Sequence, residues 1–365
     1  MFDFLKKRSP NYLGIDIGTT GIRLVELAKN GSRQSLVNYG HLESEDYLSL
    51  GGSVGNKKLV DNTYLSHDRI VKDLREVIAA MAIDAKKVSM SIPISSAFSS
   101  VISLPSIGED EIDKAVNFEA RKYIPIPLEE VNFGWSLVSS GGGVAGDKNA
   151  KRGVKVLLVA IPKDITIKYS NITQSLNLEL ISLETESFPL ARSLADGEKG
   201  VFTICDIGSK TTSITIVEDG VVLASHSVSN IGGLEITNIL SHGFNIDPKR
   251  AEALKRDIGL KFSGADKKVS EIMMPIVSVI SSDIKKINET YTRDYKKEID
   301  KIILTGGSAS LPGIVEFLKN DLKVGVEIGD PWKNISFDEK LKPKLAEIAP
   351  QFSIAVGLAL RGFEK

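Results

Sequence analysis

Leu13-Gly14-Ile15-Asp16-Ile17-Gly18-Thr19-Thr20 and Ile204-Cys205-Asp206-Ile207-Gly208-Ser209-Lys210-Thr211 are two versions of one pattern: an apolar run, an aspartate, an apolar residue, then a glycine turn. The residues downstream of the two copies are similar too. An alternating stretch from Ile22 to Ala28 leads to Asn30-Gly31, and one from Ser213 to Val217 leads to Asp219-Gly220. Asn-Gly and Asp-Gly are favoured in two-residue hairpin loops, because both central positions need positive φ. Third strands are predicted over 34–39 and 221–228. One such hairpin would read as an ordinary turn. Two with matching downstream turns predict a duplicated α/β chain, each half opening in an antiparallel three-strand meander and continuing through crossover helices.

The rest of the chain fills in that plan. Ile70, Val71, Leu74, Val77, Ile78 and Met81 recur at helical spacing and predict a helix over 68–81, with another over 164–176. A strand over 179–183 and a helix over 187–195 lead into the second meander. Between them, strands over 88–93 and 99–104, a helix over 109–123 and strands over 131–138 and 154–161 read as an inserted subdomain. Its run Gly141-Gly142-Gly143 through Gly146 reads as a hairpin loop without a phosphate role, since no helix follows it. Helices over 248–258 and 269–295, a strand over 301–305 running into Gly306-Gly307, and a helix over 314–322 complete the second half. The expected division is 11–87 with 162–199 as the first core, 88–161 as the insert, 200–246 with 300–365 as the second core, and 247–299 as its side subdomain.

Size and composition narrow the function classes. At 365 residues the chain exceeds what one hydrophobic core usually holds. Its formal net charge of −1 gives no global field for nucleic acid or anionic lipid. The single cysteine, Cys205, cannot close an internal disulfide and sits in an apolar run, so an inert core position in a reducing compartment is expected. No apolar run is long enough to span a bilayer, and Phe2, Phe4 and Leu5 precede Lys6, Lys7 and Arg8, the reverse of a secretory signal. A cytoplasmic protein with a flexible or docked N-terminal tail is expected. His41, His67, His226 and His242 lack metal-ligand spacing and read as surface or packing residues.

The turns carry the chemistry. A glycine turn lets successive backbone N–H groups approach phosphate oxygens and form an anion-binding nest. Gly18, Thr19, Thr20 and Gly21 offer this on one side, and Gly208, Ser209, Lys210 and Thr211 on the other. An aspartate before each turn would repel phosphate unless a cation stood between. Mg²⁺ suits that place because it keeps several waters and uses few carboxylates, so Asp16 and Asp206 are assigned to it.

With these motifs in order, the chain resembles the actin-like ATPase superfamily, whose ribonuclease H-like α/β fold is a duplicated two-domain ATPase. Asp16 to Gly21 and Asp206 to Thr212 look like its two phosphate motifs, and Leu304 through Gly313 like its adenosine motif, which brings in Gly306, Gly307 and Ser308. Phe352 to Arg361, with Ala355, Gly357 and Ala359, resembles the second connecting helix, where small residues permit close packing. Ala251 to Lys255 resembles the segment that contacts ribose and adenine, which carries over Glu252 and Lys255; on residues alone, that pair reads sooner as a solvated helix face. Arg23 stands where actins often carry a phosphate-binding lysine. The position resembling the catalytic glutamate is Glu186, with Glu184 a rival two residues away, and the usual Glu-Pro pair is absent; slow hydrolysis or none is expected.

Over essentially its whole length the chain is similar to the PilM family of type IV pilus assembly. The resemblance rests on Tyr12 to Gly18 with Val25-Glu26-Leu27, on Ile92-Pro93, on Val116 to Pro125, and on Ile231-Gly232-Gly233 after the second meander; Gly232 and Gly233 join the nucleotide-site candidates. An insert before the second meander is similar to PilM and FtsA, hence an FtsA-type inserted subdomain. The resemblance implies ATP with Mg²⁺ and a position on the cytoplasmic face of the inner membrane. It also implies docking of the N-terminal cytoplasmic segment of PilN, a single-span membrane protein, in a groove near residues 88–104. Contacts with other pilus machinery, assembly ATPases included, and self-association stay open. An FtsA-like division scaffold is disfavoured because such proteins carry a C-terminal linker and amphipathic helix, whereas this sequence stops at Lys365 after its connecting helix. A small-molecule kinase on the same fold would need an Asp base facing a hydroxyl substrate, and none stands out outside the phosphate motifs.

Overall fold

The computed structural model describes residues 10–31, 33–43, 66–105, 107–140, 153–262 and 264–364. The N-terminal apolar and basic stretch and the glycine run from Gly141 lie outside the described residues.

The first meander is β1 (Tyr12–Gly18), β2 (Gly21–Asn30) and β3 (Arg33–Glu43). Helix α1 (His67–Met81) follows, capped by Ser66, whose side chain accepts from Arg69 N. Then come β4 (Lys87–Ile92), β5 (Phe98–Leu104), α2 (Glu109–Tyr123), β6 (Val131–Ser140), β7 (Val154–Pro162), α3 (Lys163–Ser175), β8 (Glu179–Thr185) and α4 (Ser187–Leu194). The second half runs β9 (Val201–Ile207), β10 (Thr211–Glu218), β11 (Val221–Ser229), α5 (Gly233–Phe244), α6 (Pro248–Ile258) and α7 (Lys267–Tyr295). It ends with β12 (Lys301–Thr305), α8 (Ile314–Leu322), β13 (Gly325–Ile328), β14 (Ile335–Ser336) and α9 (Lys342–Arg361).

The duplication is explicit in the sheets. One is ordered β14-β3-β2-β1-β4-β8 and the other β11-β10-β9-β12-β13. Each is a meander continued by two parallel strands on the side of its first strand. The second hairpin turns at Asp219-Gly220, both with positive φ as predicted. The first is displaced by one residue. Asn30 pairs with Arg33, so Asn30 ends the strand and only Gly31 of the predicted Asn-Gly pair lies in the loop.

Two differences from the predicted division arise from non-local pairing. The strand expected to open the insert, β4, lies inside the first sheet between β1 and β8. Val88 to Ile92 are all buried, as an inner parallel strand requires. The insert's own sheet is β5-β7-β6, with α2 packing Ile112, Val116 and Ala120 against Ile102, Val156 and Leu158. Its other face reaches the second half, where Leu157 joins a cluster with Phe202, Ile204 and Val222.

The chain's end also returns to the first half. β14 pairs with β3, and Trp332, Phe352, Ala355 and Ala359 pack with Val25 and Leu27. Helix α9 begins ten residues earlier than the small-residue pattern suggested and carries Pro350 inside it. The Pro350 carbonyl accepts Gly306 N at 2.9 Å and Thr305 Oγ1 at 2.7 Å, which ties the helix to the second sheet. The small residues act as predicted for close packing: a Cβ at Gly357 would stand 1.9 Å from Pro189 O of α4, and one at Gly14 2.1 Å from Ala355 O. Cys205 is fully buried in the second core.

Candidate nucleotide cleft

A cavity of about 670 Å³ opens between the two halves, and both aspartate-glycine turns face it. From the first half come Asp16, Gly18, Thr19, Thr20, Arg23 and Glu186; from the second come Asp206, Gly208, Ser209, Thr211, Gly233, Glu252, Lys255, Gly306, Gly307 and Ser308. Strands separated by 190 residues place the two aspartates at equivalent positions of equivalent sheets, which is why one motif alone could not define the site.

The floor is acidic and buried. Asp16 Oδ1 accepts from Ser91 Oγ at 2.8 Å, and its Oδ2 lies 3.7 Å from Arg23. Burial raises the Asp16 carboxyl above its ordinary range against the pull of Arg23 and Ser91. Asp206 is pushed up to about 7 by burial and by the charge of Asp16, with Arg23 pulling back. Glu186 precedes α4 and lies among the lining residues, its Oε2 accepting Ile94 N at 3.4 Å. Burial, then Asp206 and Asp16, raise its carboxyl well above the usual range. The rival Glu184 is absent from the lining: it pairs with Arg192 at 3.0 Å and Arg361 at 3.0 Å.

Glycine is required at position 306. Its φ is +87°, and a Cβ would stand 2.2 Å from Asp206 Oδ1. The turn after β12 therefore lies against the aspartate before the second phosphate turn.

Glu252 and Lys255 are not a solvated helix face. Asp247 caps α6 and Pro248 starts it, and the helix turns both side chains inward, to 11% and 9% exposure. Lys255 Nζ donates to Glu252 Oε2 at 2.6 Å, Gly233 O at 2.9 Å and Thr237 Oγ1 at 3.0 Å. Thr237 Oγ1 also donates to Glu252 Oε2 at 2.5 Å, and Arg256 Nε donates to Oε1 at 2.7 Å. Burial alone would raise the Glu252 carboxyl, but Lys255, Thr237 and Arg256 together bring it below its ordinary value.

Gly21, Lys210 and Gly232 of the predicted set do not line the cavity. Gly232 lies under the second turn, where a Cβ would meet Ser209 O at 2.6 Å. Several lining residues had no sequence signal: Glu43 at the end of β3, and Lys344, Glu347 and Gln351 of α9. His41, read as a surface or packing residue, also lines it.

Among the described residues no group of three or more His, Cys, Asp or Glu side chains is arranged to hold a metal ion. Two buried carboxylates, one raised by the charge of the other, still leave a deficit of positive charge, which fits a cation held largely by water and phosphate oxygens. No described helix is long and apolar enough to cross a membrane.

Comparison with known proteins agrees with this architecture. The chain is 24% identical to cell division protein FtsA of Enterococcus faecalis over 359 residues, 88% of this chain and 78% of that protein. Against FtsA of Bacillus subtilis the identity is 20% over 357 residues, with the same coverage. Among solved structures it matches a PilM-PilN type IV pilus biogenesis complex with a TM-score of 0.78 at 22% identity, covering 97% of this chain and 99% of that one. It matches MreB 5 of Spiroplasma citri bound to AMPPNP with a TM-score of 0.55 at 14% identity, covering 98% and 96%. These likenesses establish the actin-like fold. The sequence profile of the type IV pilus assembly protein PilM matches residues 14–363, and the chain belongs to that family.

Proposed function

We propose that this protein is an ATP-binding scaffold of the type IV pilus inner-membrane platform. It holds ATP with Mg²⁺ in the cleft and docks the N-terminal cytoplasmic segment of a PilN-type membrane protein, which would keep it on the cytoplasmic face. The observation that carries the nucleotide part is the convergence of two aspartate-glycine turns on one cavity, with Asp16 near enough to raise the Asp206 carboxyl. The Gly18 to Thr20 and Gly208 to Thr211 turns would hold phosphate, Asp16 and Asp206 the hydrated cation, and Gly306, Gly307, Glu252 and Lys255 the nucleoside end. Mg²⁺ would neutralise phosphate charge there. Arg23 adds a fixed positive charge beside the first turn.

Glu186 is assigned to orienting water. Burial and two neighbouring carboxylates raise its proton affinity, so less of it stands as the free carboxylate that could take a proton from water, which suits slow hydrolysis or none. ATP then serves as a conformational ligand. For the partner, residues 88–104 pass from the first sheet into the insert, so a peptide lying there would touch both bodies.

Calorimetric titration with the N-terminal segment of the cognate PilN, with and without Mg-ATP, tests the assignment. Saturable binding is expected; no binding in either nucleotide state would remove the partner assignment and leave a nucleotide-binding protein.

A further inference from the structure

The two meanders differ in a way that duplication does not require. In the first, Asp16 is directly opposite Arg23, and Arg23 directly opposite His41, so an aspartate, a guanidinium and an imidazole form one row across β1, β2 and β3. In the second, the matching row is Asp206, Ser213 and Ser227. The second half builds the same meander with two serines. Neither the arginine nor the histidine is therefore needed to form the strands.

All three residues of the first row line the cleft. Arg23 is 9% exposed, and its Nε has no hydrogen-bond partner among the described residues. His41 is open to solvent on the cleft side, and its ring meets Phe352 of α9 edge-on, with centroids 6.3 Å apart. The imidazole is against the first phosphate turn: a Cβ at Gly21 would stand 3.1 Å from His41 Nε2. Burial and then the Arg23 charge lower the imidazole's proton affinity, with Glu43 opposing, so the ring is neutral at pH 7 and carries one N–H.

We infer that His41 is a specificity-determining residue of the cleft, donating its ring N–H to a phosphate oxygen of the bound nucleotide beside Arg23, so that two side chains of the first half add to the phosphate contacts of the turns. This rests on the nucleotide reading of the cavity. It assigns His41 a ligand of defined chemistry, a nucleoside polyphosphate, with no claim on the base.

The test is equilibrium binding of Mg-ATP and of adenosine to the full chain and to His41→Ala, His41→Phe and His41→Gln. Phe keeps the packing on Phe352 without a donor, and Gln restores an N–H. A hydrogen bond to a charged group predicts that the Ala and Phe variants lose about ten-fold or more in ATP affinity. Adenosine affinity should hold, Gln should recover most of the loss, and Ser227→Ala in the second row should be silent. ATP affinity unchanged in His41→Ala, or equal losses for ATP and adenosine, would overturn the inference while leaving the cleft a nucleotide site. Failure of the unaltered protein to bind ATP would overturn the nucleotide reading, and this inference with it.

Discussion

Replacing Lys255 by methionine keeps an unbranched stem of similar length and deletes the charge, which isolates what the buried ammonium does. Lys255 makes three hydrogen bonds, at 2.6, 2.9 and 3.0 Å, and its side chain is 9% exposed. Removing one partner of a buried ion pair typically costs about 3–5 kcal/mol, because the other charge is left uncompensated. Here the loss is softened. Glu252 keeps the Thr237 hydroxyl at 2.5 Å and Arg256 Nε at 2.7 Å, although Arg256 is itself 60% exposed and contributes less. About 2–3 kcal/mol of destabilisation is therefore expected for Lys255→Met. Adding Glu252→Gln removes the orphaned charge while keeping an acceptor for Thr237, so the double variant should recover about 1 kcal/mol or more of that loss. Urea denaturation followed by circular dichroism measures both. A single variant within about 0.5 kcal/mol of the unaltered protein, or a double variant less stable than the single, would refute the claim that the pair is buried and mutually compensating.

Gly306→Ala forces a side chain onto positive φ and 2.2 Å from Asp206 Oδ1, so binding of a fluorescent ATP analogue should weaken by about ten-fold or more; unchanged affinity would remove this turn from the site. Gly357→Ala should lower Tm, since a Cβ 1.9 Å from Pro189 O costs about 1–3 kcal/mol against a helix-propensity gain of about 1 kcal/mol. A Tm at or above that of the unaltered protein would show slack between α4 and α9. Glu186→Gln should leave ATP affinity within about two-fold and reduce any single-turnover hydrolysis by about ten-fold or more; an unchanged rate removes the water-orienting role. Glu198, paired with Lys301 and Lys333, has a depressed proton affinity, caused first by Lys333 and then by Lys301. Its stabilising effect is present above the unfolded carboxyl range and is lost as pH falls through the folded value. Glu198→Gln should thus cost under about 1 kcal/mol at pH 7 and progressively less as the pH falls through the acid range. A difference that persists in acid would assign its role to packing.

The duplication, the meanders and the helices are legible in the amino-acid order, because each rests on short-range physics. Alternation places one strand face inward, 3.6-residue spacing makes the α1 stripe, and Asp219-Gly220 tolerates the φ its turn demands. The order also marked both aspartates, since each precedes a glycine turn within a few residues. What depends on partners far along the chain emerges once the chain is folded. β4 looked like the insert's first strand because nothing local distinguishes a strand pairing with β1 and β8 from one pairing with β5. The return of α9 to the first sheet is set by the bare backbone of Gly14 meeting Ala355. Lys255 and Glu252 read as solvated at i and i+3 spacing until Gly233 and Thr237 of α5 closed over them. His41 acquired a place beside Arg23 only through the register of β2 against β3, a pairing that no single strand encodes.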